Sequence, residues 1–272
     1  MKQIPNFIYG TAWKEGRTTP LVELALKNGF RAIDTANQAK HYSEVLVGDA
    51  LINAKEFGIN RDDVWLQSKF TSIDGQDHRL PYDENAALFD QVKQSFASSL
   101  EHLNTDYLDS YLLHGPYNYP LLGVEDFEVW SAIEELFDDG LTNMIGVSNV
   151  NINQLEILCE NAKIKPMIVQ NRCFANQGWD KQVRQFCNNN NIYYQGFSLL
   201  TANVQIADNE EILKMAHKYQ LTPAQIIFRF AYQIGMIPLT GTTNEEHMRM
   251  NFKIFNFELS EEEIEFIEQI LV

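Results

Sequence analysis

Short runs of β-branched and aromatic residues alternate along the chain with longer amphipathic stretches. The runs cover residues 7–10, 30–34, 64–70, 107–114, 143–147, 167–171, 192–197 and 236–239, eight in all. The stretches between them have helical spacing. Phe89, Val92, Phe96 and Leu100 step by three, four and four, and Trp130, Ile133 and Phe137 repeat that rhythm, so each set shares one helix face. Helix starts are legible too. Thr19-Pro20 offers an N-cap followed by proline at the first helical position; Thr222-Pro223 repeats it, with Gln225 completing a capping box. Ser260 with Glu263 opens the last helix in the same way, and the asparagines at 188–191 read as a helix exit and turn before a strand.

Eight strands alternating with helices place the chain in the α/β class, either as a (β/α)8 TIM barrel or as an open doubly wound sheet. An open sheet binding a dinucleotide usually carries G-x-G-x-x-G after its first strand. No GxG occurs anywhere here. The count and the missing fingerprint both favour the barrel. No Pro- or Ser-rich linker divides the chain, so residues 1–272 are expected to form one domain.

Composition narrows the partners. Hydrophobic residues make up 45% of the chain and charged ones 21%, which excludes a disordered protein. Lys+Arg number 21 against 37 Asp+Glu, a formal charge of −16, so neither nucleic acid nor an anionic membrane is an expected partner. Any anionic ligand must be held by a local pocket. Cys159, Cys173 and Cys187 are odd in number and lack CxxC spacing, as in a reducing compartment. The start has no apolar signal core, and no run of about eighteen apolar residues exists. A soluble cytoplasmic protein, monomeric or weakly oligomeric, is expected.

Barrel chemistry collects where the strands end. Those positions hold Asp34, Lys69, His114, Ser148-Asn149, Gln170-Asn171, Phe197-Ser198 and Thr240-Gly241-Thr242. Singly, Asp34 reads equally well as a turn cap, and His114 has a lesser reading as a satisfied core histidine. Lys69 ends an apolar run near the barrel interior, where a lysine needs a counter-ion, and Asp34 on the adjacent strand end supplies one. Three such groups at neighbouring strand ends argue for function. Metal and nucleophile motifs are missing: there is no HxH, HExxH, G-x-S-x-G or GxxxxGK[ST]. A Schiff base on Lys69, in a lyase or isomerase, stays open.

The segment Gly29-Phe30-Arg31-Ala32-Ile33-Asp34-Thr35-Ala36 resembles the second-strand motif of the aldo-keto reductases. Residues 100–109, Leu112-Leu113-His114, Ile145-Gly146-Val147-Ser148-Asn149, Ile237-Pro238 and Asn251-Phe252-Lys253 are similar to further motifs of that family, in its order. The resemblance implies a barrel that reduces an aldehyde or ketone, or oxidises an alcohol, with NADP or NAD. It implies a tetrad of Asp34, Lys69, His114 and a tyrosine. The family's tyrosine lies five residues after the aspartate, where this chain has Ala39. The loop runs two residues longer, and Tyr42, its only tyrosine, is taken as the proton donor of the tetrad; the other register would put His41 at that place and Tyr42 in solvent. The resemblance also assigns Thr11, Ser148, Asn149, Gln170, Phe197, Ser198, Leu199, Thr240, Gly241, Thr242, Arg249 and Asn251 to the cofactor, and Trp13 and Tyr117 to the substrate pocket. Phe197 reads equally as an inward core residue, and helix-spaced Trp130 reads as core.

These residue types fit the chemistry. Carbonyl reduction needs a hydride on carbon and a proton on oxygen. A free phenol titrates near about 10, and a neighbouring ammonium is expected to lower that value and help it donate. His114 can hydrogen-bond the substrate oxygen from the other side. Two departures stand out. Where relatives preferring the phosphorylated cofactor commonly have Ile-Pro-Lys-Ser, this chain has Ile237-Pro238-Leu239-Thr240, with Glu245 and Glu246 nearby. Trp-Pro after the histidine is replaced by Gly115-Pro116, leaving Tyr117 or Tyr119 to fill the wall. A nicotinamide-binding sensor without turnover is the competing reading, since the tyrosine loop is irregular.

Overall fold

The computed structural model describes residues 3–272. Its strands are β1 (Ile8–Gly10), β2 (Ala32–Asp34), β3 (Trp65–Phe70), β4 (Ser110–Leu113), β5 (Ile145–Ser148), β6 (Ile168–Arg172), β7 (Tyr193–Phe197) and β8 (Met236–Thr240). Each pairs in parallel with the next, and β1 pairs with β8, so the sheet closes into a barrel. Each lies inside the corresponding run read from the sequence or passes its end by one residue.

Side chains alternate across each strand and sort into two apolar clusters. Tyr9, Ile33, Leu66, Tyr111 and Val169 pack in the cluster shared with the helices. Ile8, Ala32, Trp65, Leu112 and Ile168, one residue away in each strand, form a separate cluster inside the barrel with Ile237 and Leu239. Polar interior residues sit among them. Gln67 and Gln195 exchange amide hydrogen bonds at 2.8 and 3.0 Å, and Ser110 Oγ donates to Gln67 Oε1 at 2.7 Å.

The helices follow from the same patterning. They are α1 (Thr18–Lys27), α2 (Glu44–Ala54), α3 (Leu88–Leu103), α4 (Val124–Asp138), α5 (Ile152–Asn161), α6 (Lys181–Asn189), α7 (Glu210–Tyr219), α8 (Pro223–Gln233), α9 (Glu245–Asn251) and α10 (Glu261–Gln269). α3 buries Val92 and Phe96, and α4 buries Trp130 and Ile133, the faces that the spacing marked. Trp130 is a core residue whose indole N–H donates to the Ile164 carbonyl. The capping boxes of Thr222 with Gln225 and Ser260 with Glu263 are both formed. The expected cap at Thr19 is not. A short 3₁₀ turn, Glu15–Arg17, precedes α1, so the helix starts at Thr18, and the Thr19 hydroxyl donates to the Leu46 carbonyl at 2.8 Å. The 188–191 segment ends α6 and turns through Asn191 (φ 57°) into β7. All three cysteines are free and buried, and no helix among the described residues is long and apolar enough to cross a membrane.

Candidate active site

The parallel register sets Asp34, the last residue of β2, beside Gln67 of β3, and Lys69 follows two residues later on the same side of the strand. Lys69 Nζ lies 2.6 Å from Asp34 Oδ1 and donates to the Thr35 carbonyl at 2.8 Å. The same Asp34 oxygen accepts from Gln67 Nε2 at 2.7 Å and from Gln170 Nε2 at 3.0 Å. A fully buried ion pair is tolerable only when its remaining valences are met, and the interior amides do this.

Above the pair lies the ring of Tyr42, its centroid 5.5 Å from Lys69 Nζ and 5.9 Å from the His114 ring, which it meets edge-on. His41 turns the other way. Its ring stacks on Trp13 at 3.9 Å, its Nδ1 lies 3.0 Å from Gln38 Oε1, and its carbonyl accepts from the Trp13 amide. The longer loop therefore brings Tyr42, not His41, against Asp34, Lys69 and His114.

Burial sets the protonation states. It pushes the Tyr42 phenol well above its ordinary value, and the Asp34 charge pushes it further. The expectation that the ammonium leaves this phenol more acidic than a free one is thus reversed. Desolvation and the carboxylate outweigh an ammonium that Asp34 already pairs. Burial also pulls Lys69 below the usual lysine range, with Asp34 acting against it. His114 is lowered to about 3 by burial and by the charges of Lys69 and His41. At neutral pH the site presents a neutral phenol and a neutral imidazole.

A groove of about 760 Å³ runs from Tyr42 and His114 across the strand ends to the start of α8 and to α9. That volume suits a small-molecule or cofactor site. Its walls include Trp13, Asp34, Ser148, Gln170, Phe197, Ser198, Leu199, Thr240, Gly241, Thr242 and Asn251, all named from the sequence. Lys69 lies beneath it, fully buried.

Four sequence expectations fall outside the groove. Thr11 is buried behind the wall, its hydroxyl donating to the Asp34 carbonyl at 2.9 Å. Asn149 is exposed at φ 57° and spends its amide on the His114 carbonyl and on Ser148 Oγ. Arg249 is exposed and does not line the groove, whereas His247, Met250 and Asn251 of the same short helix, at helical spacing, do. Tyr117 packs half-buried against the core, with its backbone amide on Asp126 Oδ1, and Tyr119 is 84% exposed, so neither fills the wall.

Other residues were not foreseen. Lys14 lines the groove and its Nζ donates to the Gly241 carbonyl, tying the loop after β1 to the loop after β8. A basic residue four positions beyond Gly10 was the available signal. His247 and the first residues of α8 line the far end. Gln67, which donates to Asp34, and Gln195, which accepts from Gln67 and Gln170, carried no signal beyond being amides inside strands.

The sequence profile of the Aldo/keto reductase family matches residues 10–272. This chain belongs to the aldo/keto reductase family. It is 34% identical to glyoxal reductase of Bacillus subtilis (strain 168) over 253 residues, covering 93% of this chain and 83% of that one. It is 30% identical to NADPH-dependent codeinone reductase 1-2 of Papaver somniferum over 292 residues, covering 98% and 86%. Among solved structures it is similar to an aldo-keto reductase from a Medee basin deep-sea metagenome library. There the TM-score is 0.84 and the identity 28%, over 99% of this chain and 92% of that one. As an aldo-keto reductase it is an NAD(P)-dependent oxidoreductase acting on small-molecule carbonyls. The groove fits a nicotinamide cofactor by its size and by the polar side chains, Ser148, Gln170 and Asn251 among them, set in a mostly apolar wall. Asn251 Nδ2 is buried in that wall without a hydrogen-bond partner, a donor that a ligand would satisfy.

Proposed function

We propose that Tyr42 gives the proton to the carbonyl oxygen while His114 holds that oxygen by a hydrogen bond. The observation that carries this reading is the position of the Tyr42 ring between Lys69 and His114, with His41 stacked away on Trp13. The bound nicotinamide supplies the hydride. Ser148 and Gln170 offer the donors and acceptors its carboxamide needs, Phe197 offers a ring face, and Lys14 with the 240–242 loop would hold the phosphates. A protonated phenol is the correct starting form for a proton donor, and burial keeps it so. Lys69 places the one ammonium that can stabilise the phenolate as the proton leaves, and Asp34 fixes that ammonium at 2.6 Å.

Lys69 does not line the groove, and its ammonium is shared between Asp34 and the Thr35 carbonyl, which argues against a Schiff base there. The sensor reading rested on the irregular loop, and that loop delivers a tyrosine to the other three residues. Titrating the protein with NADPH and NADH while following tryptophan fluorescence, then supplying aldehydes, ketones and alcohols, tests the reading. Binding followed by turnover is expected; binding without turnover would return the sensor.

Cofactor choice follows from the groove's charge. Leu239 lines it at the position where relatives preferring the phosphorylated cofactor commonly carry a lysine, and Arg249 lies outside it. Both NADPH and NADH are therefore expected to serve, with a small ratio of affinities. Leu239→Lys adds a charge-assisted contact that only NADPH can use, and it should tighten NADPH about tenfold over NADH. Dissociation constants for the two cofactors check this. An equal gain for both would mean that the 2′-phosphate lies elsewhere.

A further inference from the structure

Thr71 follows β3 directly and lies two residues beyond Lys69, so both project from the same side of the strand line. It is buried, and its Oγ1 lies 2.7 Å from His114 Nδ1. Two further contacts hold it. A Cβ on Gly75 would lie 2.6 Å from the Thr71 methyl, so the bare glycine is what lets that methyl seat there. Tyr82 Oη donates to the Thr71 carbonyl at 2.9 Å. Methyl and hydroxyl share one Cβ, and seating the first fixes where the second points.

We propose that Thr71 is a positioning residue that sets the tautomer of His114, leaving the ring proton on Nε2 for the substrate oxygen. The hydrogen-bond inventory leads there. A neutral imidazole has one N–H and one bare nitrogen, whereas a hydroxyl can donate or accept. If Nδ1 carried the proton, the Thr71 hydroxyl hydrogen would be left without an acceptor among the described residues. If Thr71 donates to Nδ1, both groups are satisfied and the proton resides on Nε2. That nitrogen has no protein partner among the described residues, although His114 borders the groove. The neutral state of His114 is what makes the tautomer matter, since an imidazolium would carry both protons. One strand end thus prepares both arms of the site, Lys69 behind the tyrosine and Thr71 behind the histidine. The catalytic consequence rests on the proposed role of His114; the tautomer does not.

The test is nitrogen NMR of the full chain labelled at its histidine ring nitrogens, with the His114 signals assigned by their loss in His114→Gln. Nε2 should be protonated and Nδ1 a bare acceptor in the wild type and in Thr71→Ser, which keeps the hydroxyl. Thr71→Val, nearly isosteric, should move the Nδ1 resonance, lower kcat/KM about tenfold and leave NADPH binding intact, with Thr71→Ser close to wild type. A wild-type proton on Nδ1, or an unmoved Nδ1 resonance in Thr71→Val, overturns the proposal. A moved resonance with unchanged kcat/KM instead overturns the role of His114 and leaves the tautomer assignment standing.

Discussion

Lys69→Met should lose most turnover and about 3–5 kcal/mol of stability, the usual cost of removing one partner from a buried ion pair. Methionine keeps the unbranched stem but leaves the buried Asp34 carboxylate, at the edge of the groove, with only the Gln67 and Gln170 amides. Urea unfolding reads the stability, and steady-state reduction of an aldehyde reads the rate. Adding Asp34→Asn should return most of the stability, because the uncompensated charge is gone. The rate should stay low, since no ammonium then stands behind the phenol. A double variant that regained activity would reduce Lys69 to a structural counter-ion, and an unchanged unfolding midpoint in Lys69→Met would deny that the pair is buried.

Tyr42→Phe should lower the reduction rate by roughly 10²–10⁴-fold, the worth of a positioned general acid. The substitution removes one oxygen and keeps the ring that packs over Lys69 and against His114. Affinity for NADPH and NADH should hardly change, because the proposed carboxamide contacts come from Ser148 and Gln170. His41→Ala is the control. It removes a ring stacked on the exposed Trp13 and should cost little in turnover. Measured kcat together with cofactor dissociation constants separates the two variants.

The parts of the fold set by local pattern were legible in the sequence. The barrel strands, the apolar faces of α3 and α4, and the capping boxes of α8 and α10 depend on residues close together in the chain. Asp34, Lys69 and His114 were legible because an ionisable group closing an apolar run is conspicuous. What the sequence left open or misplaced depended on partners far away. Whether His41 or Tyr42 turns inward is settled by Trp13, which belongs to another loop. Which face of α9 meets the groove is settled by how that short helix packs, and His247 rather than Arg249 lines it. Thr11 looked like a groove residue until its hydroxyl met the carbonyl of the neighbouring strand. The direction of the Tyr42 shift needed its burial, which no motif carries.

The central claim is that Tyr42 is the proton donor, and a single turnover tests it most directly. Wild type, Tyr42→Phe and His41→Ala, each saturated with reduced cofactor, are mixed with an excess of aldehyde, and the loss of reduced nicotinamide is followed in real time. Slowing of that step by roughly 10²–10⁴-fold in Tyr42→Phe, with His41→Ala near wild type, is the expected result. Full speed in Tyr42→Phe together with loss of the step in His41→Ala would contradict it.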